Sequence, residues 1–344
     1  MDYFKMKTPY FLFYPEVLRK NYQELNALCK KHLKDFKIAY SVKTNSMKEV
    51  IDVLSSEGCG FEVASINEIQ LAKGKSNFIV FNGPCKTEQE LKIAVENNFL
   101  INIDSISEIN KLAKIAKGKS IEEGLRIGED KFGIEKTKIK EAIECAESKN
   151  IKIVSLHFHP GTQATLEKYE QAIKELSETI SNLSLNPKFI DLGGGFPDKL
   201  QLKNLNANLE DYLKIIARYF PEKTIILEPG RFLVSDTLEL ITKVHAIKEK
   251  KSISYAILDA GINLLPKSSL SQIRFSKINS NNSKSSKRYV LAGPLLFASD
   301  EIGIYNGELE EGDLIKIENT GAYCYSLSFE MSYKKPKIIL SKEH

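Results

Sequence analysis

The chain has 344 residues, 42% hydrophobic and 27% charged, and its 49 Lys and Arg against 45 Asp and Glu leave a formal net charge of +4. These proportions belong to ordinary globular proteins and exclude the disordered and fibrous classes. The small basic surplus is interleaved with acids, as in KEAIECAESKNIK, so no nucleic-acid partner is implied, and no apolar run reaches the length of a membrane span.

The N-terminal MDYFKMKTPYFLFYPE lacks the apolar core and small-residue cleavage site of a signal peptide, so a cytoplasmic location is expected. Cys29, Cys59, Cys85, Cys145 and Cys324 show neither C-x-x-C nor Cys/His metal spacing, which predicts reduced thiols and no metal. The length exceeds what one hydrophobic core usually organises, so two domains, or a large barrel with an appended domain, are expected. An amphipathic helix is predicted over Glu16 to Lys31. FKIAYSV follows it, and then the β-rich runs GCGFEVA, NFIVFN, FLINID, EGLRIG, IKIVSLHFH, KFIDLG and KTIILE. Helical patterns lie between them, among them SINEIQLAK, TEQELKIAVEN, SISEINKLAKIAK, KIKEAIECAESK, LEKYEQAIKELSETI and NLEDYLKIIARYF. About eight strand-helix alternations within roughly 200 residues predict an α/β protein with a (β/α)8 TIM barrel, placed at residues 25–234. A doubly wound open sheet is the alternative.

Beyond Arg231 the pattern changes. In FLVSDTLELITKVHAIKEKKSISYAILDAG two β-rich runs flank a charged turn, and DLIKIENTGAY and KPKIIL add strand without intervening helix. A mostly β domain is predicted over 235–344, with TPYFLFY in segment 8–24 able to join it as another strand. The run SKINSNNSKSSKR, residues 276–288, is too polar for a core and reads as a surface loop; a basic docking arm is the sharper reading.

In a barrel of this kind active sites lie at the C-terminal ends of the strands. Lys43, Glu62, the loop Asn82 to Thr87, Asp104, Arg126, His157, His159, Gly193 to Gly195 and Glu228 to Arg231 all fall there. A lysine such as Lys43 can form a Schiff base, although a single strand-end lysine is more often a solvated surface group. Three consecutive glycines expose backbone N–H groups that can cradle a phosphate, or simply form a tight turn. A dinucleotide is disfavoured, because Asp198 stands where the third glycine of that fingerprint would be. Arg231 supplies a cation for a phosphate. Glu228 alone could be an ordinary loop carboxylate, but beside a lysine and a phosphate cradle it can keep a pyridine nitrogen protonated. His159 is either a packed aromatic or a ring that stacks on a cofactor. Taken together, these features specify pyridoxal 5'-phosphate (PLP).

AYSVKTN, FEVAS, HFHPGTQ, DLGGGFP, EPGR and GAYCYS occur in one order along the chain. With them the sequence, from TPYFLFY to GAYCYSLSFEMSY, resembles the alanine-racemase-fold (fold type III) PLP-dependent amino-acid decarboxylases, the group of the ornithine, arginine and diaminopimelate enzymes. The resemblance implies that Lys43 carries the cofactor as a Schiff base, that His159 stacks on its ring and that Glu228 pairs with the ring nitrogen. It implies a phosphate site of Gly194, Gly195, Arg231, Thr162 and Tyr323, the last reaching across the interface of a homodimer, and adds Glu62, Arg126 and Gly230 to the cofactor site. The implied reaction is loss of the α-carboxylate of an amino acid or amino-acyl derivative as CO2.

The departures from the family bear on substrate. In GPLLFASD, Leu296 stands where the family places a proton-donating cysteine and Phe297 where diamine-forming members place an acid, while Asp300 is retained. Glu62 replaces an aspartate, and DAGINLLPKSS lacks the Arg-Pro run of diaminopimelate decarboxylases. Leu296, Phe297 and Asp300 are therefore the candidate substrate residues, for a free or carrier-tethered substrate. Lys43, and after it Cys324, are the candidate acids that replace the cysteine. An amino-acid racemase or epimerase of the same fold and a non-catalytic PLP-binding protein are the alternative readings.

Overall fold

The computed structural model describes residues 3–266, 272–278 and 287–341. Asn21–Phe232 forms one compact unit, and the flanking segments, up to Lys20 and from Leu233 onward, form another. The chain opens with strand β1 (Tyr10–Phe13) and helix α1 (Pro15–His32). Eight strands then close a barrel in sequence order: β2 (Asp35–Ser41), β3 (Gly60–Val63), β4 (Ile79–Phe81), β5 (Leu100–Ile103), β6 (Ile121–Ile127), β7 (Ile151–Phe158), β8 (Phe189–Asp191) and β9 (Thr224–Leu227). Every neighbouring pair is parallel, and β2 closes on β9 with Ile38 opposite Leu227. The expected barrel is present, and the doubly wound sheet is not.

The strands are short apolar runs such as IVF, LINI and TIIL because helices cover their outer faces and side chains fill the interior. The helices are α2 (Lys48–Ser56), α3 (Ile66–Ala72), α4 (Glu88–Glu96), α5 (Ile106–Ala116), α6 (Ile139–Glu147), α7 (Leu166–Asn182), α8 (Lys199–Asn204) and α9 (Leu209–Tyr219). Their starts are marked by caps: Ser65, Thr87, Ser105, Thr165 and Asp198 each accept the backbone N–H three residues on. Glu90 returns the bond to Thr87 in a full capping box. Helix α2 is absent from the stretches read above, because KEVIDVLSS is short and carries β-branched residues that suit a strand equally well. Outside the barrel wall Tyr169, Phe196 and Tyr212 pack ring to ring at centroid distances of 5.0 to 5.9 Å. Phe196 directly follows the three glycines, so this cluster holds one end of their loop in place.

In the other unit β10 (Leu238–Lys250) turns at Lys251, whose φ is 55°, into β11 (Ile253–Leu258). With β12 (Arg274–Lys277), β13 (Arg288–Ala292), β14 (Glu301–Asn306) and β15 (Leu314–Glu318), the sheet order is β12-β15-β10-β11-β13-β14. Strand β1 pairs antiparallel with β10 and parallel with β16 (Lys337–Leu340). Phe11, Phe13, Leu240, Ile315 and Ile317 are buried in this unit. Of the polar run 276–288, Ser276 and Lys277 end β12 and Arg288 opens β13, while 279–286 lie outside the described residues.

Candidate active site

Apolar β2 ends in a single 3-10 turn, Val42–Thr44, that buries Val42 and Thr44 and leaves Lys43 half exposed at the barrel mouth. Lys43 Nζ lies 2.7 Å from Glu62 Oε2, at the end of the next strand, and the same oxygen accepts Ser41 Oγ at 2.6 Å. Glu62 is fully buried, so its charge is met by the lysine and by hydrogen-bond donors rather than by water.

Below this pair runs a chain of buried polar groups. Asn82 Nδ2 donates to Glu228 Oε1 at 2.7 Å and to Glu62 Oε1 at 3.2 Å. Asn102 Nδ2 donates to Asn82 Oδ1 and to Asp191 Oδ2, each at 2.9 Å. Asp191 Oδ1 accepts the amide of Gly193 at 3.0 Å, and His157 Nε2 faces Glu228 Oε2 at 3.4 Å. Burial by itself would raise the Glu228 carboxyl, but His157, Lys43 and the Asn82 amide bring it down to about 2. Burial, then the Glu228 charge, hold the Asp191 carboxyl well above the usual range. The environment therefore favours the ionised form of Glu228 and disfavours that of Asp191. Ligand atoms of His157, Asp191 and Glu228 come within 4.8 Å of one another, but amide donors already occupy both carboxylates, and the group forms a hydrogen-bonded floor.

His159 is solvent-exposed, yet protein surrounds it closely enough for desolvation to act on its ring, and a Cβ on Gly193 would come within 2.9 Å of its Nδ1. That enclosure, followed by the positive fields of His157 and Lys43, pushes its pKa down to about 4. A neutral, exposed flat ring can stack on an aromatic cofactor. Arg126, at the end of β6, lies over Phe132 at 4.5 Å and has its Nε 3.9 Å from Asp104 Oδ2. Lys86, buried, donates to Gly83 O at 2.8 Å and Asn102 O at 2.9 Å and pairs with Glu108 Oε1 at 2.8 Å, pinning the loop after β4 to strand β5 and helix α5.

The glycines show whether PLP fits. A Cβ on Gly194 would come within 2.6 Å of Glu228 O, and one on Gly195 within 2.5 Å of Gly161 O. Gly193 and Gly195 have φ of 57° and 91°, so the intervening amides form a concave nest of the kind that binds anions. Ala164 N donates to Gly195 O at 3.2 Å, drawing the loop that carries exposed Thr162 against the glycines. A Cβ on Gly230 would meet Thr44 Oγ1 at 2.1 Å, so the EPGR turn packs directly on the lysine turn, and Arg231, mostly buried, follows it. A lysine at the mouth, an anion nest, an open neutral ring and an ionised carboxylate match the four chemical parts of PLP.

The barrel unit thus brings together Lys43, Glu62, His159, Gly194, Gly195, Glu228 and Gly230. Arg126, Thr162 and Arg231 belong to the same unit, whereas Tyr323, Cys324, Leu296, Phe297 and Asp300 lie in the other. Tyr323, with φ of 61°, is half-buried in a turn, and Cys324 beside it is buried. Leu296 is fully exposed and Phe297 exposed. Asp300 is buried: Oδ1 accepts Ile262 N and Oδ2 accepts Leu295 N, each at 2.7 Å. Both its oxygens are taken by backbone amides, which makes Asp300 the anchor of the loop that displays Leu296 and Phe297. Sequence reasoning passed over Asn102 and Asp191 and gave no role to Asn82 or His157. The available signal was a polar residue at the last positions of an otherwise apolar barrel strand, as in LINID and FIDLG.

Residues 19–235 match the family described as pyridoxal-dependent decarboxylase, pyridoxal binding domain. The diaminopimelate decarboxylase of Methanocaldococcus jannaschii is 27% identical, across 98% of this chain and 87% of the relative. That of Helicobacter pylori strain J99 is 29% identical, across 97% and 89%. The crystal structure of the Helicobacter pylori diaminopimelate decarboxylase complexed with L-lysine superposes with a TM-score of 0.88 at 28% identity, covering 98% of this chain and 92% of that one. The chain belongs to the pyridoxal-dependent decarboxylases: it is a PLP-dependent carboxy-lyase acting on an amino-acid substrate, and the racemase and non-catalytic readings are not favoured. Among the described residues no helix is long and apolar enough to cross a membrane.

Proposed function

From membership of that family we propose that the chain removes the α-carboxylate of an amino acid whose distal part is apolar or bulky, free or carrier-tethered, and that it works as a homodimer. The observation that carries the substrate reading is the loop from Gly293 to Asp300. It is pinned by the two bonds to Asp300 and by Gly293 N on Asp300 O at 2.7 Å, and it displays Leu296 and Phe297 to solvent. An apolar pair on a fixed loop offers no partner to a distal ammonium group. Free diaminopimelate is the second reading, favoured by the activity named for the Methanocaldococcus and Helicobacter relatives.

Bound PLP supplies an electron sink for the pair left behind by CO2. Lys43 would anchor it, with Glu62 holding Nζ at 2.7 Å. Glu228, kept ionised, would pair with the ring nitrogen, and His159 would stack on the ring. Gly194, Gly195, Thr162, Gly230 and Arg231 would hold the phosphate end, and Arg126 lines the same mouth. Lys43 Nζ is the acid placed to return a proton at the substrate's Cα. Cys324 is the second candidate, disfavoured by its burial.

The dimer is supported by an exposed row after Tyr323. Leu327, Phe329, Met331 and Tyr333 alternate with Ser and Glu and are 37 to 47% exposed, an apolar edge that one chain leaves open. In a homodimer with shared sites Tyr323 completes the phosphate cradle of the opposite subunit. Mixing inactive Lys43→Ala with inactive Tyr323→Phe then restores activity through hybrid dimers; no recovery would refute shared sites.

The substrate test is CO2 release by the PLP-loaded enzyme from amino acids with a free α-amine and an apolar, bulky or acylated side chain, beside diaminopimelate, lysine, ornithine and arginine. Turnover of the first group supports the proposal. Turnover confined to the free diamino acids removes the substrate reading and leaves the decarboxylase intact. Lys43→Ala is expected to lose both the visible cofactor band and CO2 release.

A further inference from the structure

We propose that Asn82 is a positioning residue for the decarboxylation: its one amide group, oriented by Asn102, ties the carboxylate that engages the cofactor lysine to the carboxylate assigned to the ring nitrogen, and fixes both. The proposal rests on the assignments of Lys43 and Glu228 made above.

The donor geometry dictates the orientation. Asn82 Nδ2 reaches Glu228 Oε1 at 2.7 Å and Glu62 Oε1 at 3.2 Å. Ionised carboxylates only accept, so the NH2 must face both and the amide oxygen must turn away. It turns onto Asn102 Nδ2 at 2.9 Å, whose second proton goes to Asp191 Oδ2. Each link therefore permits one arrangement of the next. The outer oxygens have different partners: Lys43 Nζ and Ser41 Oγ on Glu62 Oε2, His157 on Glu228 Oε2. Asn82 is thus the one side chain among the described residues that bonds to both carboxylates.

The barrel wall is built around this chain. A Cβ on Gly124 would lie 2.0 Å from Asn102 Oδ1, and the pairing of β6 with β7 shifts register between Glu123 and Gly124. A glycine inside a strand is unfavourable by itself. Here it provides the room in which Asn102 sits. Asn82 and Asn102 are 4% and 0% exposed, so no water replaces either if it is removed without a substitute donor. The Asn82 amide is also among the groups that hold Glu228 in its ionised form, after His157 and Lys43.

The test uses full-length enzyme and the variants Asn82→Ala, Asn82→Asp and Asn82→Ser. It reads the PLP dissociation constant and the pH midpoint of the bound cofactor's visible band. The titratable groups around Asn82 are Lys43 after β2, Glu62 on β3, His157 and His159 of the β7 end, Asp191 on β8 and Glu228 after β9. A midpoint shift therefore reports on this cluster. Loss of a charge-assisted donor in Asn82→Ala is expected to weaken PLP binding about tenfold or more and to displace the midpoint by about one pH unit. Asn82→Asp, of equal volume, displaces the midpoint by adding a fourth carboxyl group beside Glu62, Asp191 and Glu228, and Asn82→Ser, which keeps a donor, returns toward wild type.

Wild-type constants and midpoints in all three variants would overturn the proposal. A weaker dissociation constant with an unmoved midpoint in all three marks a merely structural asparagine and overturns it too. Should Asn82→Ala fail to fold, the isosteric Asn82→Asp decides by its midpoint alone. Failure of the underlying reading looks different: wild type shows no visible band with PLP, or Lys43→Ala keeps one.

Discussion

Glu123 is the buried group whose replacement gives the sharpest stability test. It is 3% exposed in β6, and its Oε2 accepts Ile101 N at 2.7 Å. Burial, only partly countered by that amide, pushes its pKa from 4.5 up to about 8. The unfolded chain releases this proton near pH 4.5, whereas the fold retains it until about pH 8. A raised folded-state pKa contributes stability that is fully present below pH 4.5 and is lost as pH rises through 8. A shift from 4.5 to about 8, at about 1.4 kcal/mol per unit, sets an upper limit of about 5 kcal/mol on that loss. Glu123→Gln keeps an oxygen for Ile101 N and cannot ionise, so the variant escapes the loss. Thermal unfolding of both proteins from about pH 5 to pH 9 is the assay. The two melting temperatures should nearly coincide at the acid end, and the variant should melt progressively higher toward the basic end. About 2 kcal/mol of realised relief would appear as roughly 4–8 °C. A melting difference that stays constant across this range would refute the assignment of the proton to Glu123.

Gly194→Ala places a Cβ 2.6 Å from Glu228 O and should weaken PLP binding about tenfold or more, measured by titrating the apoenzyme; unchanged affinity would remove the glycine cradle. His159, with its pKa pushed down to about 4, is neutral at working pH. His159→Phe should therefore keep the shape of the pH–rate profile between about pH 6 and pH 9, whereas a lost limb would show that the imidazole titrates in catalysis. Asp300→Ala strands the buried amide of Leu295 and the half-buried one of Ile262 and should cost about 1–4 kcal/mol, read as a lower melting temperature of the β unit; a neutral result would contradict the anchoring role.

Local order carried much of the architecture. The alternation from FKIAYSV to KTIILE is recorded in contiguous runs of side chains, and each run declares its own period. The caps Ser65, Thr87 and Ser105 are likewise set by their own next three residues. Lys43 at a strand end, the triple glycine and EPGR could be read as a lysine anchor, a phosphate turn and a carboxylate for the same reason: each is a short contiguous motif. Helix α2 escaped because nine residues with Val and Ile carry too little periodicity to separate helix from strand.

The polar floor could not be read in this way. Asn82 and Glu228 stand 146 residues apart in the chain, and Asn102 and Asp191 stand 89 apart. A polar residue near the end of an apolar strand marks Asn102 and Asp191, but nothing local tells which group each will meet; only closure of the barrel turns the ends of β4, β5, β8 and β9 toward one another. Glu122 and Glu123 are neighbours of the same type, yet the first is exposed and the second buried beside a register shift. Asp300 presents the same carboxylate in either role; one of the amides that occupy it, Leu295 N, is in its own loop, but the other, Ile262 N, is 38 residues away and comes within reach only in the folded sheet. The sequence by itself determined the barrel, the cofactor chemistry and the residues that announce it, because propensity and motif act over a few adjacent residues. Only the tertiary structure decided which carboxylates are charged, which amide links them and which polar groups serve the scaffold, because those depend on what surrounds a side chain in space.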